Sequence, residues 1–284
     1  MGADAGTLTT RDGLRLPTRA WLPDADGAAR ADVVLVHGLG EHVGRHDALA
    51  TRLADEGYAV RGYDQRGHGS APGPRCHIDR FEQLIDDLGD FVSQVQADRP
   101  GRPLVLFGQS LGAVVALRAV QGGAIEPDAL VLSSPALRDG VELPAWLRRA
   151  VMRLAGPFPS LPTVPLDAGA LSRDPAAVAA YRQDPAVFHG PIKARIGSEL
   201  VRHGALALAE AGRIDVPLLI VHGREDRLAR PDASVELQRA HRGRGATLML
   251  YDDGPHELFH DPLRERVTAD VLAWLDERLP PAAA

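Results

Sequence analysis

Short apolar runs recur along the chain, alternating with longer stretches whose apolar positions return every three to four residues. Val33–Val36, Tyr58–Tyr63, Leu104–Phe107, Leu130–Ser133, Leu218–Val221 and Thr247–Tyr251 are short and mostly apolar, the signature of strands buried on both faces. The longer stretches predict helices. Arg45–Glu56 stops before Gly57, and Phe81–Ala97 places apolar side chains at 81, 84, 85, 88, 91, 92 and 95, along one face. Near the start, Leu8 to Leu16 reads as two short strands turning at Asp12-Gly13, a dipeptide that tolerates positive φ. At the other end, Leu263, Val267, Val271 and Trp274 define a last helix that packs on the core. Strand and helix in alternation predict an α/β domain with a mostly parallel sheet flanked by helices.

From about Leu137 to Arg195 this alternation fails. Prolines become frequent and no strand is evident, which predicts an insertion carried above the sheet. The expected organisation is a core of residues 1–136 and 196–284 with a mainly helical cap, or lid, at 137–195. Within the cap, Leu147, Ala150, Val151 and Leu154 share a helical face, and Arg148, Arg149 and Arg153 lie off it. A basic amphipathic helix of this kind packs on the body, covers an acyl pocket or touches lipid, and the pattern leaves those three open.

At 284 residues the chain is large for one domain, but an α/β domain with an insertion accounts for it and buries a sizeable core. Hydrophobic residues make up 45% and charged residues 25%, which excludes a disordered chain. No apolar run approaches ~20 residues, so a soluble globular protein without a membrane span is expected. A formal charge of −6 argues against nucleic acid as a partner. Cys76 is the only cysteine, so no intrachain disulfide forms. The first residues, MGADAGTLTTRDG, carry no charged-then-apolar leader, and a cytoplasmic location is the default expectation.

Candidate chemistry centres on Gly108-Gln-Ser-Leu-Gly112, a GxSxG pentapeptide. It follows the strand candidate LVLF and opens the helix candidate AVVALRAV, the context in which such a serine occupies a sharp strand-to-helix turn. That turn strains the serine backbone, and the flanking glycines remove Cβ atoms that would strike neighbouring chain. Ser110 Oγ would then project over the sheet edge, facing the free N–H groups of the first helical turn.

A hydroxyl is a weak nucleophile until a base takes its proton, and the base needs a carboxylate to orient it. On such a fold the order is serine, acid, histidine, the last two on loops after later strands. The loop His222-Gly-Arg-Glu-Asp-Arg-Leu228 supplies Asp226 as acid, and the loop Asp252-Asp-Gly-Pro-His256 supplies His256 as base. Glu225 and Asp253 are rivals for the acid. His260, beyond the turn, and His241, before the strand, are rivals for the base. A tetrahedral oxyanion needs two donors: the N–H of Leu111, next to the nucleophile, and the N–H of Leu39 in His37-Gly-Leu-Gly-Glu-His42, where Gly38 and Gly40 free the backbone to turn inward.

Taken together, His37-Gly-Leu-Gly-Glu-His42, Asp64-Gln-Arg-Gly-His-Gly-Ser70, Gly108-Gln-Ser-Leu-Gly112, Gly223-Arg-Glu-Asp226 and Gly254-Pro-His256 resemble the monoacylglycerol lipase and lysophospholipase group of the α/β-hydrolase superfamily. The similarity spans nearly the whole chain and is weakest in the cap. It implies an eight-stranded, mostly parallel core with a mobile lid, and a serine esterase that needs no cofactor or metal. It implies a small lipid ester as partner, a monoacylglycerol or related single-chain lipid, with the cap in transient contact with a membrane or lipid surface and no protein partner. By position, the resemblance puts the triad on Ser110, Asp226 and His256 and the oxyanion donors on Leu39 and Leu111. It puts Glu41, with His42 beside it, near the polar end of the substrate pocket, where an acidic residue alternatively braces the loop. GQSLGA stands where the family commonly has GHSMGG, and Ala229-Arg230 replaces a branched apolar and acidic pair.

Three other functions compete. An amidase or aminopeptidase on the same framework would need cap carboxylates converging on a free amine, from among Glu142, Asp167, Asp174 and Asp184. A ligand receptor could keep the fold without turnover. The string His256-Glu-Leu-Phe-His260 matches a zinc-binding HExxH, which requires a helix through it; Gly254-Pro255 before it and Pro262 after it oppose one. His68 reads as a structural histidine and Cys76 as a small apolar residue.

Overall fold

The structure, a computed structural model, describes residues 4–24, 29–140, 145–243 and 245–279. Its single eight-stranded sheet has the order β1 (Asp4–Thr9), β2 (Arg15–Trp21), β4 (Ala59–Tyr63), β3 (Asp32–Val36), β5 (Leu104–Gln109), β6 (Ala129–Ser133), β7 (Leu218–Gly223) and β8 (Ala246–Tyr251). β1 pairs β2, and β2 pairs β4, antiparallel; the remaining pairings are parallel. The first hairpin turns where Asp12-Gly13 predicts it, with Gly13 at φ 83°. Its strands reach further out than Leu8 and Leu16, because β2 continues to Trp21 to pair with β4.

Successive residues of the central strands feed opposite cores, as period-two geometry demands. Val34, Leu106, Leu130 and Ile220 pack with α2 (Glu82–Asp98), α3 (Leu111–Gln121), α6 (Ala194–Ala209) and α7 (Pro231–Ala240). Val33, Val105, Val131 and Leu219 pack with α1 (Asp47–Asp55) and α8 (Arg264–Asp276), the latter through Val267, Val271 and Trp274. Trimming one such leucine to alanine costs about 2–5 kcal/mol, so the sheet is a rigid platform for the loops above it. β8 departs from the expected double burial. It is an edge strand whose residues, except Tyr251, are only half-buried.

Between β6 and β7 the chain forms α4 (Ala145–Leu154), α5 (Pro175–Gln183) and the whole of α6. Asp174 caps α5 by accepting from the N–H of Ala176, and Pro175 fills a first-turn position where a missing N–H is harmless. α4 packs against α6. The apolar face expected on α4 is not wholly buried, because Leu154 is exposed beside Arg149 and Arg153, while the side chains of Leu147, Arg148 and Val151 lie outside the described residues. Among the described residues, no helix is long and apolar enough to cross a membrane.

Candidate active site

β5 ends at Gln109, and α3 begins at Leu111, so Ser110 alone makes the turn. Its φ of 52° and ψ of −110° lie where an L-residue rarely sits, a strain of about 1–3 kcal/mol held by the packed elements on either side. Both pentapeptide glycines are required by close approach. A Cβ on Gly108 would lie 2.5 Å from Ala113 Cα, and one on Gly112 would lie 2.1 Å from Val36 O and 2.5 Å from His37 O. The second contact presses α3 against the end of β3, which brings the loop after β3 beside Ser110.

Two more loops converge there by a similar device. A Cβ on Gly223 would meet Gly254 O at 2.0 Å, so the loops after β7 and β8 touch backbone to backbone. The N–H of Glu225 donates to Gly254 O at 3.0 Å. Asp226 and His256 are thereby brought together. His256 Nδ1 lies 2.7 Å from Asp226 Oδ2, and His256 Nε2 lies 3.0 Å from Ser110 Oγ. With a carboxylate at Nδ1, the imidazole carries its proton there and leaves Nε2 to accept from the hydroxyl.

Electrostatics fit that arrangement. Burial disfavours the ionised carboxyl of Asp226, but the charge of His256 and hydrogen bonds from His222 and His256 outweigh it and hold Asp226 well below its usual range. Burial likewise opposes protonation of His256, yet the Asp226 carboxylate raises it above a free imidazole. The rivals are engaged or remote. Glu225 and Asp253 are exposed, His241 Nε2 lies 3.3 Å from Val216 O, and His260 bridges Glu257 and the carbonyl of Arg45.

The N–H groups of Leu39 and Leu111 make no hydrogen bond among the described residues. The Leu39 loop is held from below: Gly38 N–H donates to Glu41 Oε1 at 2.6 Å, and Gly40 adopts φ 78°. A Cβ on Gly38 would lie 3.4 Å from Ser110 Cβ, so this loop lies directly against the serine. The Asp64–Ser70 loop supports it in turn, with Asp64 accepting from Val43 N–H at 3.0 Å and Gln65 donating to His37 O at 2.7 Å. His68 is buried there, and burial pushes the imidazole down to about 3, which suits a structural, uncharged ring.

Glu41 and His42, which the resemblance puts near the polar end of the substrate pocket, are not among the residues lining the cavity that holds Ser110. Glu41 is buried, accepts from Gly38 and from Arg45 Nη1 at 2.6 Å, and so braces the loop. Arg45 also forks onto both oxygens of Glu257 at 2.7 Å. His42 Nε2 meets Asp184 Oδ2 at 2.8 Å, and Phe188 N–H donates to Gly40 O at 2.7 Å, tying the loop to the segment after α5. Arg45 and Phe188 were not singled out from the sequence, Asp184 was named there only as a possible cap carboxylate, and Glu257 only within the HExxH string.

Ser110, His256 and Leu39 lie at the foot of a cavity of about 190 Å³ whose walls are mostly apolar: Val164, Pro165, Leu166, Ile192, Leu200 and Val201 among them. The HExxH string forms no α-helix; only Leu258–His260 make a short 3-10 turn. Its histidines diverge, His256 toward Ser110 and His260 toward Arg45, and among the described residues no His, Cys, Asp and Glu cluster could hold a metal.

Residues 27–263 match the family described as Serine aminopeptidase, S33. The chain is 36% identical to the monoacylglycerol lipase of Mycolicibacterium smegmatis, over 94% of this chain and 95% of that one. The chain belongs to the monoacylglycerol lipase and lysophospholipase group of the α/β-hydrolase superfamily. Similarity to this group extends to the monoglyceride lipase of Rattus norvegicus, 29% identical over 99% of this chain and 93% of that one. In structure the chain resembles the monoacylglycerol lipase of Paleococcus ferrophilus, with a TM-score of 0.83 and 31% identity, covering 93% of this chain and 99% of that one.

Proposed function

We propose that the protein is a serine carboxylic-ester hydrolase that cleaves monoacylglycerols or related single-chain lipid esters. The observation that carries this is the line Asp226–His256–Ser110 opening onto an apolar cavity, together with the monoacylglycerol lipases among its relatives. Ser110 Oγ attacks the ester carbonyl as His256 Nε2 takes its proton, and Asp226 stabilises the imidazolium. The oxyanion accepts from the N–H groups of Leu39 and Leu111, each contributing about 3 kcal/mol to lowering the barrier. His256 returns the proton to the departing alcohol. Water, deprotonated by His256, then releases the acid. The acyl chain lies along the walls formed by α6 and residues 163–166.

The cap, residues 137–195, is proposed to admit substrate from a lipid surface. Trp146 is 70% and Phe158 59% exposed, with Met152, Leu154, Leu161 and Val164 also exposed; of these, Met152 and Val164 border the cavity as well. Arg149 and Arg153 are exposed beside them, as suits an interfacial helix.

The family description favours aminopeptidase chemistry as a second reading. Its expected carboxylates do not gather at the cavity. Asp167 caps the turn 168–170, Asp174 caps α5, Asp184 pairs with His42, and Glu142 lies outside the described residues. A hydrolysis panel of monoacylglycerols, lysophospholipids, chromogenic esters and aminoacyl amides tests the proposal. Ester turnover lost in Ser110→Ala is expected; amide turnover without ester turnover, or binding without turnover, overturns it.

A further inference from the structure

Asp226 holds a second imidazole that the triad does not account for. His222, near the end of β7, is fully buried. Its Nε2 lies 3.0 Å from Asp226 Oδ2, the same oxygen that His256 approaches, and 3.2 Å from Ala229 O. Both neighbours are acceptors, so Nε2 carries a proton and donates. The other nitrogen, Nδ1, lies 2.7 Å from Ser234 Oγ on α7 and accepts from that hydroxyl. Asp226 Oδ1 meanwhile accepts from the N–H groups of Leu228 at 2.8 Å and Ala229 at 2.9 Å. The carboxylate therefore has four donors, of which His222 is the one besides His256 that reaches Oδ2.

We propose that His222 is a positioning residue for the esterase reaction: its Nε2–H fixes the Asp226 carboxylate toward His256 and draws charge from the oxygen that faces the base. This rests on the triad assignment above. A donor on Oδ2 weakens the carboxylate's hold on an imidazolium, so His256 becomes neutral, and able to act as base, at lower pH than it would opposite an unshared oxygen. The ionisable groups acting on His256 are Asp226, Glu257 and Glu41; those acting on Asp226 are His256 and His222; His222 itself faces Asp226 and the Ser234 hydroxyl. Removing His222 leaves the other groups in place and unmasks the full charge of Oδ2.

The experiment measures kcat and KM against pH on a water-soluble chromogenic ester, for the full-length wild type, Ser110→Ala, His222→Phe, His222→Leu and His222→Gln. In Phe and Leu variants the acid limb of kcat/KM is expected to move up by about one pH unit. Plateau kcat should fall about tenfold, the size of one lost hydrogen bond to a charged group, with KM little changed. Gln, whose amide reaches the place of Nε2, should restore the limb. An unshifted limb in Phe and Leu, or a Gln variant shifted as far as they are, overturns the inference and leaves His222 a space-filler. Independently of any variant, the wild-type proton spectrum should hold two downfield imidazole N–H resonances that move together as His256 titrates. A His222 resonance indifferent to that titration also overturns it. Activity surviving in Ser110→Ala would instead sink the triad assignment itself.

Discussion

His42 Nε2 and Asp184 Oδ2, 142 residues apart in sequence, meet at 2.8 Å and join the loop that carries Leu39 to the segment after α5. Burial works against the Asp184 carboxylate, but the hydrogen bonds from His42 and the Ala186 N–H, with the positive charge nearby, together outweigh it and hold the group below its usual range. The neighbouring bond from Phe188 N–H to Gly40 O acts on the same loop. The loop that carries Leu39, the proposed oxyanion donor, is therefore coupled to the segment after α5. A half-buried pair contributes about 1 kcal/mol, which as a rate is about fivefold. Asp184→Ala is expected to lower kcat by that factor and the thermal midpoint by only about 2–4 °C; a change confined to KM would show that the pair serves binding instead.

The pH dependence has a definite sign. His256 must be neutral to accept the proton, and the Asp226 carboxylate raises it above the ordinary 6.5 despite burial. Activity should therefore fall as the solution is acidified through a single ionisation lying above that of free imidazole. Measurement of kcat/KM from pH 5 to 9 with a soluble ester checks this. A flat profile with chemistry limiting would remove His256 as base.

Two helical glycines should respond oppositely to alanine. Alanine normally improves a helix by about 1 kcal/mol. At Gly89 in α2 the new Cβ finds only Arg11 Nη2, at 3.7 Å, so Gly89→Ala should raise stability by roughly that amount. At Gly112 the Cβ would lie 2.1 Å from a backbone oxygen that no rotamer can move, and the clash wins. A loss above about 3 kcal/mol is expected for Gly112→Ala. Denaturant midpoints of the two variants decide it.

The pattern of apolar runs carried the sheet and its flanking helices because a strand buried on both faces must be apolar throughout, whatever it packs against. The serine loop was legible for a related reason: only glycine tolerates the approaches at 108 and 112, so the geometry is written in residue identity. Partners across loops left no such local mark. Glu41 looked like a pocket residue although the Gly38 N–H and the Arg45 guanidinium that occupy it lie three and four residues away; the partner without a local mark is Glu257, which holds that guanidinium from 212 residues beyond Arg45. His222 did have a signal, a histidine four residues before the acid at the end of a buried strand, and that spacing lets both side chains turn into one interior. The half-exposed face of β8 was not legible, since being at an edge is a property of strand order and not of the strand.

The charge cluster under His256 should govern acid stability. Glu257 is buried, receives both ends of the Arg45 guanidinium at 2.7 Å, and touches His260 Nδ1 at 3.2 Å. Burial alone would raise its ionisation, but the charges of Arg45 and His260 prevail and pull it from 4.5 down to about 2. A carboxyl lowered on folding stabilises the native state above its unfolded value, and that contribution drains away as pH falls from about 4.5 toward 2. Glu257→Gln leaves the buried guanidinium with Glu41 as its remaining partner of this pair, a loss of about 3 kcal/mol near neutral pH. The stability gap between variant and wild type, read from urea midpoints, should narrow clearly at pH 3 relative to pH 7, and a gap of equal size at both would place its origin in packing rather than charge. Because the Glu257 carboxylate also helps to raise His256, the same variant should move the acid limb of the rate profile downward, opposite to the direction expected of His222→Phe.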